Sequence, residues 1–292
     1  MATRRSNNLL LLEQWSRGVA EIGAVRGKHN FIPVLQAAVS RLVHVDFTMV
    51  FAYRGTVTPL ILGDTRTSDR HGVITGDYVA GPFMLDPFFR LVSEGTQTGC
   101  FRLHAVAPDR FRQSEYFRTH YGRTGIGDEI GMFFDLGGGL IGVVSFGRWN
   151  ASPLVLRAEL EILQAIQPAV TALCIGHWSN LRPLQDRSPV RTPSAGRDTG
   201  PAAGRALSVR EAEIVNMILQ GHSTQSIALH LDIAPGTVKI HRKNIYRKMQ
   251  ISTQAELFSV FMGFNLPSTI KAPYPPGDMA DLGKIADAGR QR

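Results

Sequence analysis

Between Pro235 and Met249 the chain carries Lys239, Arg242, Lys243, Arg247 and Lys248 and not one acidic residue. At about 100° per residue, these positions fall on a helix with two unlike faces. Val238, Ile245 and Met249 share one side, flanked by His241. Lys239, Ile240, Lys243, Asn244 and Arg247 share the other, with Arg242 and Lys248 at the edges. An ordinary solvated helix face mixes both signs of charge. A face that is basic throughout, with an amide and an aliphatic side chain among the cations, suits phosphate oxygens and groove edges of double-stranded DNA.

A second group of residues has two readings. Asp86 stands before Pro87, which fits a helix N-cap followed by proline in the first turn, or an acid that meets a ligand. Tyr53, Phe88, Phe101 and Tyr121 fit either a plain core or the lining of a small-molecule pocket. No residues assemble into a catalytic or metal site. Gly122 to Gly127 leads into a strand and not into a helix, so the geometry that cradles phosphate is absent. Nine histidines occur without H-E-x-x-H or paired metal spacing, and no serine lies in a G-x-S-x-G context. The reading is therefore no enzyme, no metal and no cofactor. Cys100 and Cys174 give neither a disulfide framework nor a C-x-x-C site, which fits a reducing cytoplasm.

The elements around the basic helix are written plainly. Ser208 and Glu211 form an S-x-x-E capping box. Ile214, Val215, Ile218 and Leu219 then repeat at helical spacing, and Gly221 supplies a left-handed stop. Ser223 caps a second helix whose Ile227, Ala228 and Leu231 face inward. Asp232 to Ala234 is a turn of helix-turn-helix length, and Pro235 opens the third helix. Two helices thus position a third that presents its cations outward.

The chain has 292 residues, a formal net charge of +8 and 43% hydrophobic residues, enough for two domains with real cores and a bias toward nucleic acid over acidic small substrates. Residues 1–178 read as one α/β domain. Helices fall near Asn7–Gly23 and Phe31–Val43, strands at Asp46–Tyr53 and Val57–Leu62, and a mixed stretch follows to Arg112. Ser114–Tyr121 reads as helix. Asp128–Leu136 and Leu140–Arg148 make a hairpin through Gly137, Gly138 and Gly139. A long striped helix over Pro153–Trp178 closes the domain, with a kink expected at Pro168. Residues 179–206, with four prolines among Ser, Thr, Gly and Arg, read as a flexible linker. Residues 207–263 are the helix-turn-helix domain, and 264–292 a tail poor in packing residues. Arg4 and Arg5 precede an apolar run that stops at Glu13, too short for an export signal. No segment is expected to span a membrane.

The residues of the C-terminal domain resemble the LuxR-type helix-turn-helix domain of bacterial transcription factors. The matching residues are Leu207, Arg210, Glu211, Gly221, Ile227, Ala228, Leu231, Ile233, Gly236, Thr237, Val238, His241, Ile245, Lys248 and Glu256. The resemblance implies base reading at Lys239, Ile240 and Lys243, and a place near the phosphates for Thr237. It also implies a fourth helix, Thr253 to Met262, whose Leu257, Phe258 and Phe261 help pair two copies. The sequence departs from the family at Ala234, where Ser or Thr usually caps the recognition helix, at Val209 and at Gln250. The order of elements over residues 30–178 resembles GAF-type sensory domains and is similar to the autoinducer-binding domains that precede such modules. Both are α-β-α sandwiches around an antiparallel sheet, with a cavity between sheet and helices. The tryptophan pair of a lactone pocket has no counterpart here, because Trp15, Trp149 and Trp178 lie elsewhere. A phosphorelay receiver is excluded: the early acidic pair is missing, and no lysine occurs between Lys28 and Lys239.

The chain therefore reads as a cytoplasmic DNA-binding transcription regulator. The expected partners are double-stranded DNA, a second copy of the chain and a small-molecule effector, with no membrane. The alternative is a constitutive regulator whose N-terminal domain only dimerises or binds a protein partner.

Overall fold

The computed structural model describes residues 2–55, 58–66, 78–79, 81–181 and 207–262. The expected tail lies outside the described residues, as does the expected linker beyond 181.

Helices α1 (Ala2–Ala24) and α2 (Phe31–Ser40) come first. Strands β1 (Phe47–Tyr53), β2 (Leu60–Asp64), β3 (Gly99–Arg102), β4 (Ile126–Gly137) and β5 (Leu140–Trp149) form one antiparallel sheet in the order β2-β1-β5-β4-β3. Helix α3 (Pro87–Ser93) and a series of short turns cover one face, and α1, α2 and α4 (Arg157–His177) cover the other. This is the expected α-β-α sandwich.

All seven residues of β1 are buried, as a strand covered on both faces requires. Its alternation sorts them. Phe47, Met49, Phe51 and Tyr53 face α3, and Val50 and Ala52 face α1, α2 and α4. Register fixes what stands beside them: Met49 pairs with Ser145, and Gly131 with the same serine from the other side. The β4–β5 hairpin turns through Gly137, Gly138 and Gly139, all at positive φ (88°, 58° and 75°), a run that side-chain-bearing residues strongly disfavour.

The strand β3 was not expected. Four residues at a sheet edge show too short a period to stand out from the mixed stretch. The helix expected over Ser114–Tyr121 is in part a π-helical turn, Phe117–Tyr121. Helix α4 begins at Arg157, where Leu156 N donates to Glu159 Oε2 at 2.8 Å, and runs on through Pro168. Contrary to expectation, α4 is long and apolar enough to cross a membrane by length and composition. Its only Asp, Glu, Lys or Arg residues, Arg157, Glu159 and Glu161, lie near its start. It packs Leu163, Ile166, Val170 and Cys174 into the cluster behind the sheet.

Four helices form the C-terminal domain: α5 (Val209–Gln220), α6 (Thr224–His230), α7 (Pro235–Met249) and α8 (Gln254–Phe261). The capping box closes as read, with Glu211 N donating to Ser208 Oγ at 3.2 Å and Ser208 N to Glu211 Oε2 at 2.8 Å. Ser223 Oγ accepts from Ser226 N at 3.1 Å. Lys248 Nζ reaches Glu211 Oε2 at 2.6 Å and ties the end of α7 to the start of α5.

Candidate functional site: a nucleic-acid face, an enclosed pocket and the contact between domains

Helix α7 starts without a side-chain cap at Ala234 and relies on Pro235 in its first turn. Its inner face buries Val238, Ile245 and Met249 against α5 and α6. Lys239, Ile240, Lys243 and Arg247 are exposed, and Thr237 and Asn244 are half-buried beside them. Asn244 Oδ1 accepts from Arg247 Nη2 at 3.1 Å, which holds both heads on that face. Ile240 is 62% exposed, an apolar side chain among cations that water alone does not favour. A thymine methyl in a major groove is a fitting partner for it. Arg242 is placed differently. It turns toward the N-terminal domain, donates to Tyr246 Oη at 3.0 Å and lies over the Tyr246 ring.

Four of the five expected pocket residues meet around one interior space. Tyr53, Asp86, Phe88 and Tyr121 line it, with Met49, Phe51, Tyr78, His120, Ile126, Glu129 and Ser145. Phe101 does not. It stands on the edge strand β3, on the same face of the sheet as the space, and packs edge-on against Phe133 beyond it. The free space is about 10 Å³, room for about one water. A cavity between sheet and helices was expected, and the structure has a small one whose wall mixes polar and apolar groups. The polar members were illegible because Tyr78 and Glu129 reach the space only through sheet register and the fold of the 78–93 segment.

Asp86 satisfies both of its readings. Its Oδ1 accepts from Phe88 N at 2.7 Å as the cap of α3, and its Oδ2 accepts from Tyr78 Oη at 2.8 Å. Tyr78 Oη lies 2.8 Å from Tyr53 Oη, so a phenol chain runs from β1 to the carboxyl group. Tyr121 Oη donates to Glu129 Oε2 at 3.0 Å. Asp86 and Glu129 are 6% and 4% exposed and make no ion pair with any base among the described residues. Burial pushes the Asp86 carboxyl up to about 6. Burial, and then the charge of Asp86, pushes Glu129 up to about 7. Burial also holds His120 neutral, down to about 4.

The two domains touch. Arg110 N donates to Gly221 O at 2.9 Å, and Ser223 N to Asp109 Oδ1 at 3.0 Å. Gly221, at φ +99°, ends α5, and a Cβ there would lie 2.9 Å from Phe111 Cα. Its lack of a side chain serves both the helix end and the close approach. Leu257 and Phe258 of α8 are buried and Phe261 is half-buried, all in an apolar cluster shared with Phe83, Leu85 and Phe111.

This architecture defines a class: a helix-turn-helix DNA-binding module joined to an α/β sandwich with an interior pocket. The sequence model described as "Bacterial regulatory proteins, luxR family" matches residues 205–261. The HTH-type transcriptional regulator in the exeN 3′ region of Aeromonas salmonicida is 32% identical over 183 residues, 61% of this chain and 93% of that protein. The chain belongs to the LuxR family of bacterial regulators. The response regulator protein TmoT of Ectopseudomonas mendocina is 42% identical over 59 residues, 20% of this chain and 27% of that protein. The VqsR LBD domain from Pseudomonas aeruginosa superposes with a TM-score of 0.50 at 20% identity, covering 56% of this chain and 95% of that one. The N-terminal domain therefore shares that fold.

Proposed function

We propose that this LuxR-family regulator binds a pseudo-palindromic DNA site in the cytoplasm as a homodimer, through Lys239, Ile240, Lys243, Asn244 and Arg247, with Thr237 beside a phosphate. We further propose that a small molecule entering among Tyr53, Tyr78, Asp86, Phe88, Tyr121 and Glu129 sets its activity. One observation carries the effector reading. Two buried carboxyl groups that form no ion pair among the described residues disfavour the folded state, and a domain that served only to pair subunits gains nothing from them. The second reading, a domain that only pairs subunits, rests on the nearly filled interior. An effector must then displace the phenol chain as it enters.

Lys239→Ala or Lys243→Ala is expected to weaken binding to a DNA fragment selected from random duplexes by about 1–3 kcal/mol, with relaxed preference at one base position. Parent-like binding by both variants at fixed salt sinks the groove assignment. A metabolite screen by thermal shift tests the pocket. A ligand at a hundredfold excess over Kd is expected to add about 2.7 kcal/mol of stability, lost in Tyr53→Phe. No shift across the screen favours the pairing reading.

A further inference from the structure

A second space lies between the domains, and neither the groove face nor the effector pocket accounts for it. Arg110, Gln113, Ser114 and Arg118 line it from the N-terminal domain; Gly221, His222, Ser223, Thr224, Arg242 and Gln254 are among those lining it from the other. It offers about 220 Å³ of free space, far more than the interior pocket. Three guanidinium groups line it, and no carboxylate does.

Of the nearby acids, one already pairs with a cleft arginine and the other is turned to a backbone amide. Glu115 pairs with Arg118 at 3.2 Å, and Asp109 accepts from Ser223 N. Arg118 Nη2 also donates to Gln113 O at 2.9 Å, which fixes its head at the rim. The Arg242 head is fixed by Tyr246, through its ring and its hydroxyl. The Arg110 side chain makes no hydrogen bond or ion pair among the described residues, although its backbone anchors the contact with Gly221. Glu115 offsets the charge of Arg118, and Arg110 and Arg242 have no ion pair among the described residues; like charges around one cleft repel unless an anion joins them. Guanidinium forks match phosphate oxygens in geometry as well as charge.

We infer that this cleft is a phosphate-binding site shared by the two domains, with Arg110 and Arg118 contributed by one and Arg242 by the other. Two sources supply the same chemistry. One is a free phosphorylated small molecule held in the cleft. The other is a backbone phosphate of DNA lying on α7, since Arg242 shares that helix with Lys239 and Lys243. In either case the anion bridges the domains and favours their docked arrangement.

Inorganic pyrophosphate and the full chain provide the test. At ionic strength matched with chloride, pyrophosphate is expected to raise the melting temperature of the parent by several degrees. The shift is expected to vanish in Arg110→Ala/Arg118→Ala, whose substitutions sit on exposed side chains. It is expected to survive in Arg157→Ala, an exposed arginine far along the chain, and in Tyr53→Phe, which alters only the effector pocket. The second arm measures non-specific duplex binding against salt. A backbone source lowers the slope of log K against log salt by about one to two in the double variant. A free-ligand source leaves that slope unchanged and moves the pyrophosphate affinity at least tenfold. The inference is overturned if pyrophosphate affects parent and double variant alike and their salt slopes coincide. Specific binding through Lys239 and Lys243 is scored separately, so the groove reading stands or falls on its own.

Discussion

One sheet presents two unlike faces. Behind it, at its centre, stand Val50, Ala52, Ile130, Met132, Phe134, Val144 and Phe146, hydrocarbon and a single thioether packed on α1, α2 and α4. In front stand Phe51, Tyr53, Glu129 and Ser145, with Tyr78, Asp86 and Tyr121 brought over them by the covering segments. The same strands supply both faces by alternation, so backbone geometry cannot explain the difference. The rear face holds one buried hydroxyl, that of Thr48 beside Phe146, and no carboxyl group among these central residues, because it has only to be buried. The front face carries carboxyl groups whose burial opposes folding, and this is the observation on which the proposed effector site rests.

The largest effect expected from this contrast is at the rear. Phe134 is fully buried and stacked on Trp178. Phe134→Ala is expected to cost about 3–5 kcal/mol, equally at every pH, in denaturant titrations. A loss below 1 kcal/mol shows that this face is not the scaffold.

Glu129→Gln is next, and its effect has the opposite sign. The folded-state carboxyl is raised, so the native chain holds a proton that the unfolded chain releases above the ordinary value near 4.5. Stability from this group is present below that value and is lost as pH rises toward about 7. The glutamine variant is therefore expected to be more stable than the parent at pH 8, on the order of 2 kcal/mol, and equal to it near pH 4. The histidines oppose this trend: His120, His177 and His222 are all depressed by burial, and their contribution is lost in acid. The difference between variant and parent cancels them. A difference that does not change with pH breaks the picture of a carboxyl held against its burial.

The smallest effect is at Tyr53→Phe. Removing one hydroxyl from the phenol chain leaves the ring packing in place and is expected to cost about 1 kcal/mol. Its value is in the coupling: effector-dependent stabilisation and effector-dependent DNA affinity should fall together, because linkage is reciprocal. A variant that loses stability but keeps full coupling moves the effector elsewhere.

What the sequence disclosed follows the range of the interaction. Ser208 with Glu211, Gly221, Ser223 and Pro235 act within one helical turn, and each is found where the local pattern puts it. The outward face of α7 was equally legible, since a helix period needs no partner to define it. Arg242 was not. It lies only about 40° from Val238 around the helix, and its direction depends on a neighbouring domain. Asp86 was legible as a cap and as a pocket acid because both roles start from one position. Glu129 was not, because a strand residue takes its face from register, and β4 carries irregularities near both ends. Phe101 takes the front face but stands on the edge strand, beyond the space.

The two apolar clusters do not follow the boundary between domains. One lies wholly behind the sheet. The other runs unbroken from Phe47 and Phe51 through Phe83 and Phe111 into Ile214, Ile218 and Phe258. Cooperativity follows packing, so the units that melt together are set by the sheet and not by the order of domains along the chain. Heat that loosens the front face loosens the DNA-binding helices with it. In a calorimeter, the front face and the DNA-binding helices are therefore expected to melt in one transition.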